Sequence, residues 1–210
     1  MKIDVISVGP LETNCYILSE ESSSEAIVID PGAEYKRIKR LLDSRGLKPA
    51  FVVNTHGHMD HIGADEDFKL PVYIHHEDAS LLKDPLLNMS GVFGTAFTIS
   101  CPIKDLRDNQ EICLGDKIKL KVIHTPGHTR GSICLLLTRP KENVLFSGDT
   151  LFYEGVGRTD CMGGSSEQLV NSIKEKLFVL AEDTVVYPGH GPSTSIGNEK
   201  QAGIVGFYET

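Results

Sequence analysis

The chain has 210 residues, 40% hydrophobic and 24% charged, which fits one soluble domain with a sizeable core. A net charge of −8 with no Lys/Arg cluster disfavours a nucleic-acid partner. No stretch approaches the ~20 apolar residues of a membrane span. The start, "MKIDVISVGP", carries no secretory signal, and the five scattered cysteines form no Cys-x-x-Cys pair. They read as small buried residues of a reduced, cytosolic protein rather than a thiolate zinc site.

Short β-branched runs predict strands at 3–8, 15–19, 26–30, 51–54 and 72–75, then at 117–124, 132–138, 143–148 and 184–188. In 117–124, Ile118, Leu120 and Val122 face one way and Lys117, Lys119 and Lys121 the other, so one face of that strand is wet. Helical period predicts helices over 34–45, with Ile38, Leu41 and Leu42 as a stripe ended by Gly46, and over 62–69 and 77–83. The clearest helix is 166–180, with Leu169, Val170, Ile173, Leu177 and Phe178 on one face and Ser165 with Gln168 as its capping box. Strands and helices do not alternate strictly, so two mixed sheets with helices outside fit better than a doubly wound nucleotide fold. Residues 84–111 are rich in turn formers, carry little periodicity and read as an irregular lid.

The chemistry gathers in "VVNTHGHMDH", residues 52–61. His56 and His58 are two apart, so an extended chain points both one way. Asp60 and His61 converge with them only if the chain turns there, into the helix expected at 62–69. Imidazole and carboxylate suit zinc or iron, but four donors are too few for two metals and one more than a catalytic zinc usually needs. Alone, the stretch is also compatible with a histidine-rich turn. Three further residues follow predicted strands beside turn glycines: His128 in "HTPGHTRGS", Asp149 in "LFSGDTLF" and His190 in "VVYPGHGPST".

The set His56-x-His58-x-Asp60-His61, His128, Asp149 and His190 resembles the metallo-β-lactamase fold superfamily, in its short glyoxalase II-like (hydroxyacylglutathione hydrolase-like) branch. The resemblance spans nearly the whole chain and implies one α/β (α+β) domain over 1–210, a four-layer αββα sandwich of two mixed sheets flanked by helices. It implies two divalent metal ions, zinc first, with iron or manganese as alternatives. One would be held by His56, His58 and His128 and the other by Asp60, His61 and His190, with Asp149 bridging. A metal-bridging hydroxide would then attack a thioester carbonyl of a small-molecule substrate, with Asp60 also orienting the nucleophile.

Other residues have humbler readings. Asp30, in "IDPG", is expected first to cap a turn and second to fix the ligand loop. His75 and His76 are expected near the surface, and His124 as a buried support. In "GVGRTD", Arg158 and Asp160 are expected to pair, with substrate contact by Arg158 as the sharper alternative. Phe152 and Tyr153 are candidates to line the pocket, Cys161 to form its wall, and Asn88, Met89 and Phe93 to supply a further wall. About twenty residues follow His190, with Lys200 their one basic residue. The helical glutathione-binding domain of full-length glyoxalase II enzymes is therefore expected to be missing, which leaves glutathione recognition doubtful. The alternatives are a mononuclear iron persulfide dioxygenase, which would use His56, His128 and Asp149, and a non-catalytic metal-binding module.

Overall fold

A computed structural model describes residues 1–139, 143–203 and 206. The first sheet runs in chain order through β1 (Lys2–Val8), β2 (Thr13–Ser19), β3 (Glu25–Ile29), β4 (Lys48–Val53), β5 (Val72–His75) and β6 (Ile103–Leu106). Its first three strands are antiparallel and the rest join in parallel. The chain then forms β7 (Glu111–Leu114), β8 (Ile118–His124), β9 (Ile133–Arg139) and β10 (Val144–Gly148). A small hairpin, β11 (Leu151–Phe152) with β12 (Gly155–Val156), precedes β13 (Val185–Pro188) and β14 (Thr194–Ser195). The second sheet has the order β14-β13-β10-β9-β8-β7, and only its β10–β13 pair is parallel.

Both sheets are mixed, and three apolar layers hold them. Leu18, Ile27, Ile29 and Val53 from one sheet meet Leu120, Val122, Leu135 and Phe146 from the other in the middle layer. Outside the first sheet, Ile38 and Leu42 of α1 (Tyr35–Ser44) pack on Ile17, Val28 and Val52. Outside the second, Leu169 and Val170 of α4 (Ser166–Ser172) pack with Leu145 and Val186. This is the expected αββα sandwich. The alternation read in β8 holds: Ile118, Leu120 and Val122 are fully buried, whereas the intervening lysines reach solvent. Among the described residues no helix is long and apolar enough to cross a membrane.

The structure corrects several elements. The helix expected over 62–69 is two short ones, α2 (Met59–Ile62) and α3 (Asp65–Phe68). They break at Gly63, where a Cβ would lie 2.2 Å from the Gly32 carbonyl oxygen, and Ala64 N–H turns to Pro31 O. Residues 77–83 form turns and one 3₁₀ turn over Leu81–Lys83. Helix 166–180 is α-helical only to Ser172 and widens into a π-turn over Ile173–Leu177, which keeps Ile173 and Leu177 in the core. The Ser165 hydroxyl caps it by accepting from Gln168 N–H. Within 84–111, Ile103–Leu106 pair with β5 as an edge strand, a pattern too short and too polar to read in advance. β11, β12, β14 and α5 (Ile196–Ala202) were likewise not anticipated.

His75, at the end of β5, is buried rather than superficial, while His76 is exposed. Its ring stacks on His124 at the end of β8, with centroids 4.0 Å apart, so His124 is a stacking partner between the sheets and only partly buried. Burial, then the neighbouring His124 and His76, push the His75 pKa down to about 4. The unfolded chain takes up this proton near the ordinary ~6.5. Stability from this group is therefore full above pH 6.5 and declines as pH falls toward 4. Thermal unfolding of His75→Gln should lose less of its midpoint across that interval than wild type. Equal losses in both proteins would rule out His75 as a source.

Candidate metal centre

β4 stops at Val53, and the chain runs buried and extended through Asn54, Thr55, His56, Gly57 and His58 before α2 begins at Met59. The turn thus comes three residues earlier than expected. It places Asp60 and His61 in the first turn of α2, where the His61 ring lies 4.1 Å from that of His56. Asp30, at the end of β3, shapes this loop. Its backbone sits at φ +51, a left-handed conformation that aspartate tolerates better than most residues. Its carboxylate accepts from Thr55 N–H at 2.7 Å and Thr55 Oγ1 at 2.6 Å, and faces His61 Nδ1 at 3.0 Å. The less favoured reading of Asp30, as the group that fixes the ligand loop, is the one the geometry supports.

The other three candidates also leave strand ends. His128 lies in the turn after β8, Asp149 directly after β10, and His190 two residues after β13. Their donor atoms form three overlapping groups: His56/His58/His128, His56/His61/Asp149 and Asp60/His61/His190, each with ligand atoms within 4.8 Å of one another. Asp149 stands between, with Oδ1 3.3 Å from His61 Nε2 and Oδ2 3.6 Å from His128 Nε2. Asp60 Oδ2 lies 3.2 Å from His190 Nε2 and 3.7 Å from His61 Nε2. Gly189 permits this approach, since a Cβ there would come within 2.2 Å of Asp149 Oδ1 and 2.7 Å of His61 Cε1.

Outer hydrogen bonds set the tautomers. His128 Nδ1 donates to Arg158 O at 2.7 Å and His190 Nδ1 to Leu11 O at 2.9 Å. Thr55 Oγ1 spends its proton on Asp30, so His56 Nδ1, 3.3 Å away, is the donor to it. The Nε2 atoms of His56 and His128 are then both unprotonated lone pairs, yet they face each other at 3.2 Å. A proton between His58 Nδ1 and His128 Nε2, 2.9 Å apart, relieves only one such pair. His61 Nε2 and Asp149 Oδ1 are buried without a hydrogen-bond partner. Donors ~2.0–2.1 Å from a tetrahedral ion lie about 3.3 Å apart, so these separations match ligand edges around a cation. The residues fit a divalent metal.

The electrostatics agree. Burial holds His56 and His58 neutral, with His58 pushed down to about 3, as a ligand must be. Burial opposes ionisation of Asp60 and Asp149, but His61 and its neighbours outweigh it and keep both carboxylates below their usual range. In turn, burial opposes charge on His61 and His190, yet the surrounding carboxylates raise both. The centre therefore attracts positive charge.

Two supports were not anticipated. Asp78 is fully buried and accepts from Gly57 N–H (3.0 Å), Thr129 Oγ1 (2.7 Å) and Gly131 N–H (2.7 Å). It thereby ties the His56–His58 loop to the His128 loop, although in "HHEDAS" it looks like any surface carboxylate. Asn14 and Tyr16 on β2 bond the carbonyls around His190: Asn14 Nδ2 to Pro188 O and Gly191 O, and Tyr16 Oη to Pro188 O at 2.6 Å. A lone Thr13-Asn14 pair opening an apolar strand was the available signal.

The donors open into a cavity of about 530 Å³ that Met89, Phe93, Phe152, Arg158 and Cys161 also line. Arg158 pairs with Asp160 as expected, through two contacts of 2.6 and 2.8 Å. Tyr153 and Asn88 are not part of the lining. The Tyr153 side chain points to solvent from the β11–β12 turn. Asn88 is buried beneath the wall, bonding Phe97 O and Ser90 N–H, while its carbonyl accepts from Met59 N–H.

An αββα sandwich that gathers histidine and aspartate donors at one edge defines a metal-dependent class of protein. The chain belongs to the metallo-β-lactamase superfamily, whose family model matches residues 8–190. It is 37% identical to YqgX, a probable metallo-hydrolase of Bacillus subtilis, over 95% of both chains. It is 34% identical to the hydroxyacylglutathione hydrolase GloC of Haemophilus influenzae over 96% of both. Among solved structures, the BLEG-1 B3 metallo-β-lactamase superposes with a TM-score of 0.88 at 39% identity, covering 95% of this chain and 97% of that one. TTHA1623, in a di-iron-bound form, gives 0.82 at 33% identity, covering 95% and 98%.

Removing the supports should loosen the metal in separable ways. Asp78→Asn should weaken binding at the three-histidine group, and Asp30→Asn at the Asp60/His61/His190 group, each by roughly 10–100-fold. Competition against a chromogenic chelator reads both, with thermal unfolding to confirm folded protein. Unchanged affinity in either folded variant would contradict its role.

Proposed function

We propose that the protein is a dinuclear metal-dependent hydrolase of thioesters. The carrying observation is the His56/His58/His128 and Asp60/His61/His190 groups, with one Asp149 oxygen beside His128 and the other beside His61. In this reading His56, His58 and His128 would hold one ion and Asp60, His61 and His190 the other, with Asp149 available to both. Zinc is the first choice, with iron or manganese also compatible with the donor set. Two such ions supply Lewis acidity, bringing a water's pKa toward ~7 and polarising a carbonyl oxygen.

The chain's own groups do the rest. Asp60, half-buried and anionic, accepts from Thr13 Oγ1 at 3.3 Å and keeps lone pairs to orient an attacking water. Cys161 is no candidate nucleophile: burial pushes its thiol up, so it remains protonated. Among the described residues lining the cavity there is no lysine or tyrosine to protonate a leaving nitrogen. A departing thiolate needs no such help, because a thiol's pKa lies near ~8.5. This favours a thioester over an amide, and the likeness to GloC, a hydroxyacylglutathione hydrolase, points the same way.

Purified protein should carry two metal equivalents, hydrolyse thioesters, and lose that activity on chelation and regain it on reloading. His58→Ala should lower kcat at least 100-fold, as loss of a first ligand and its ion would. One iron per chain with persulfide-dependent oxygen uptake would overturn the proposal, as would full activity in His58→Ala.

A further inference from the structure

We infer that the substrate is a thioester with an uncharged, apolar tail, an inference that rests on the hydrolase reading above. Beyond the histidine and aspartate donors, six of the eight residues of the cavity wall are apolar, Leu11, Met59, Met89, Phe93, Phe152 and Val156, and the other two are Arg158 and Cys161. The apolar six come from three separate segments: the β1–β2 turn, the residues around Met89–Phe93 with Met59 beneath them, and the β11–β12 hairpin. A wall built from three places that is apolar in each is selective for apolar surface.

Exposure strengthens the point. Leu11 is 52% and Phe93 60% exposed at the mouth, and Val92 and Leu86 nearby are exposed as well. Large apolar side chains left uncovered together beside a reactive centre mark a binding surface. The wall is also preformed. Asn88 O accepts from Met59 N–H, and Asn88 and Ser90 bond the Phe97 backbone, so the loop carrying Met89 and Phe93 is pinned at both ends. The unbranched Met59 and Met89 can adapt to different chain shapes, which suits a range of tail lengths.

Charge argues the same way. Apart from the donors, Arg158 is the one charged side chain lining the cavity among the described residues, and Asp160 engages it bidentately. The chain as a whole carries −8. A thioester whose thiol half is net negative, as glutathione's is, finds no free cation on this wall. An apolar tail gains from burial instead. Hydrolysis breaks the C–S bond, forms a C–O bond from water, and yields a carboxylic acid and a thiol with no change of oxidation state.

The test uses metal-loaded protein and acetyl, butyryl and hexanoyl thioesters of N-acetylcysteamine, each paired with the same acyl group on glutathione. kcat/KM should rise roughly three- to four-fold per added methylene, the ratio given by ~0.8 kcal/mol per buried CH₂. The neutral carrier should equal or exceed glutathione. A second readout needs no turnover: calorimetric Kd values for straight-chain carboxylates from acetate to octanoate should tighten with length. In Leu11→Ser and Phe93→Ser proteins that tightening should flatten. Chain-length-independent kcat/KM and Kd, or a ten-fold preference for the glutathione thioesters, would overturn the inference. If no thioester is hydrolysed but the carboxylates still bind by length, the hydrolase reading fails and the apolar site stands.

Discussion

Like-polarity atoms are held face to face at the centre of this molecule, and the rest of the structure serves to keep them there. His56 and His128 aim unprotonated Nε2 atoms at each other, and Asp60 and Asp149 crowd the rings of His61 and His190. Facing lone pairs repel in a buried, low-dielectric place, and the carboxylates beside them draw positive charge, so a cation satisfies both. The cluster persists because four of the rings are held from behind, His128 by Arg158 O, His190 by Leu11 O, His56 by Thr55 and His61 by Asp30. Those outer bonds choose the tautomers, and the tautomers make the nitrogens into ligands.

The sandwich explains how residues so far apart in sequence arrive together. Every donor follows a strand end, and all those ends lie along one edge where the two sheets meet. Side chains then cross between loops: Asp78 couples the His58 and His128 loops, while Asn14 and Tyr16 couple β2 to the His190 turn. Behind them, the middle layer around Phe146, Leu120 and Val53 fixes the spacing of the sheets. The same edge carries the apolar cavity, so the polar centre and the surface that selects its substrate share one scaffold.

Much of this was legible in the residues. Period-2 alternation in β8 and helical period around Ile38 and Leu169 reflect burial on one face, and burial dominates where elements form. The seven candidate donors stood out because histidine and aspartate beside glycine at strand ends serve no packing purpose. What stayed hidden depends on partners distant in the chain. β6 is a strand because β5 offers it an edge, and α2 breaks from α3 because Gly32 presses on Gly63. Asp78 acts on Gly57 and Gly131, and nothing local marks it. Tyr153 and Asn88 looked apt by type, but backbone direction turned one to solvent and the other beneath the wall. Leu11 and Met59 line the cavity only because the fold brings the β1–β2 turn over α2.

Crystals of metal-loaded protein, with anomalous diffraction collected across the metal's absorption edge, test the central claim most directly. The account predicts two peaks ~3.5–4 Å apart, one among His56, His58 and His128 and one among Asp60, His61 and His190, with Asp149 between them. A single peak, or metal bound away from these seven residues, would contradict it.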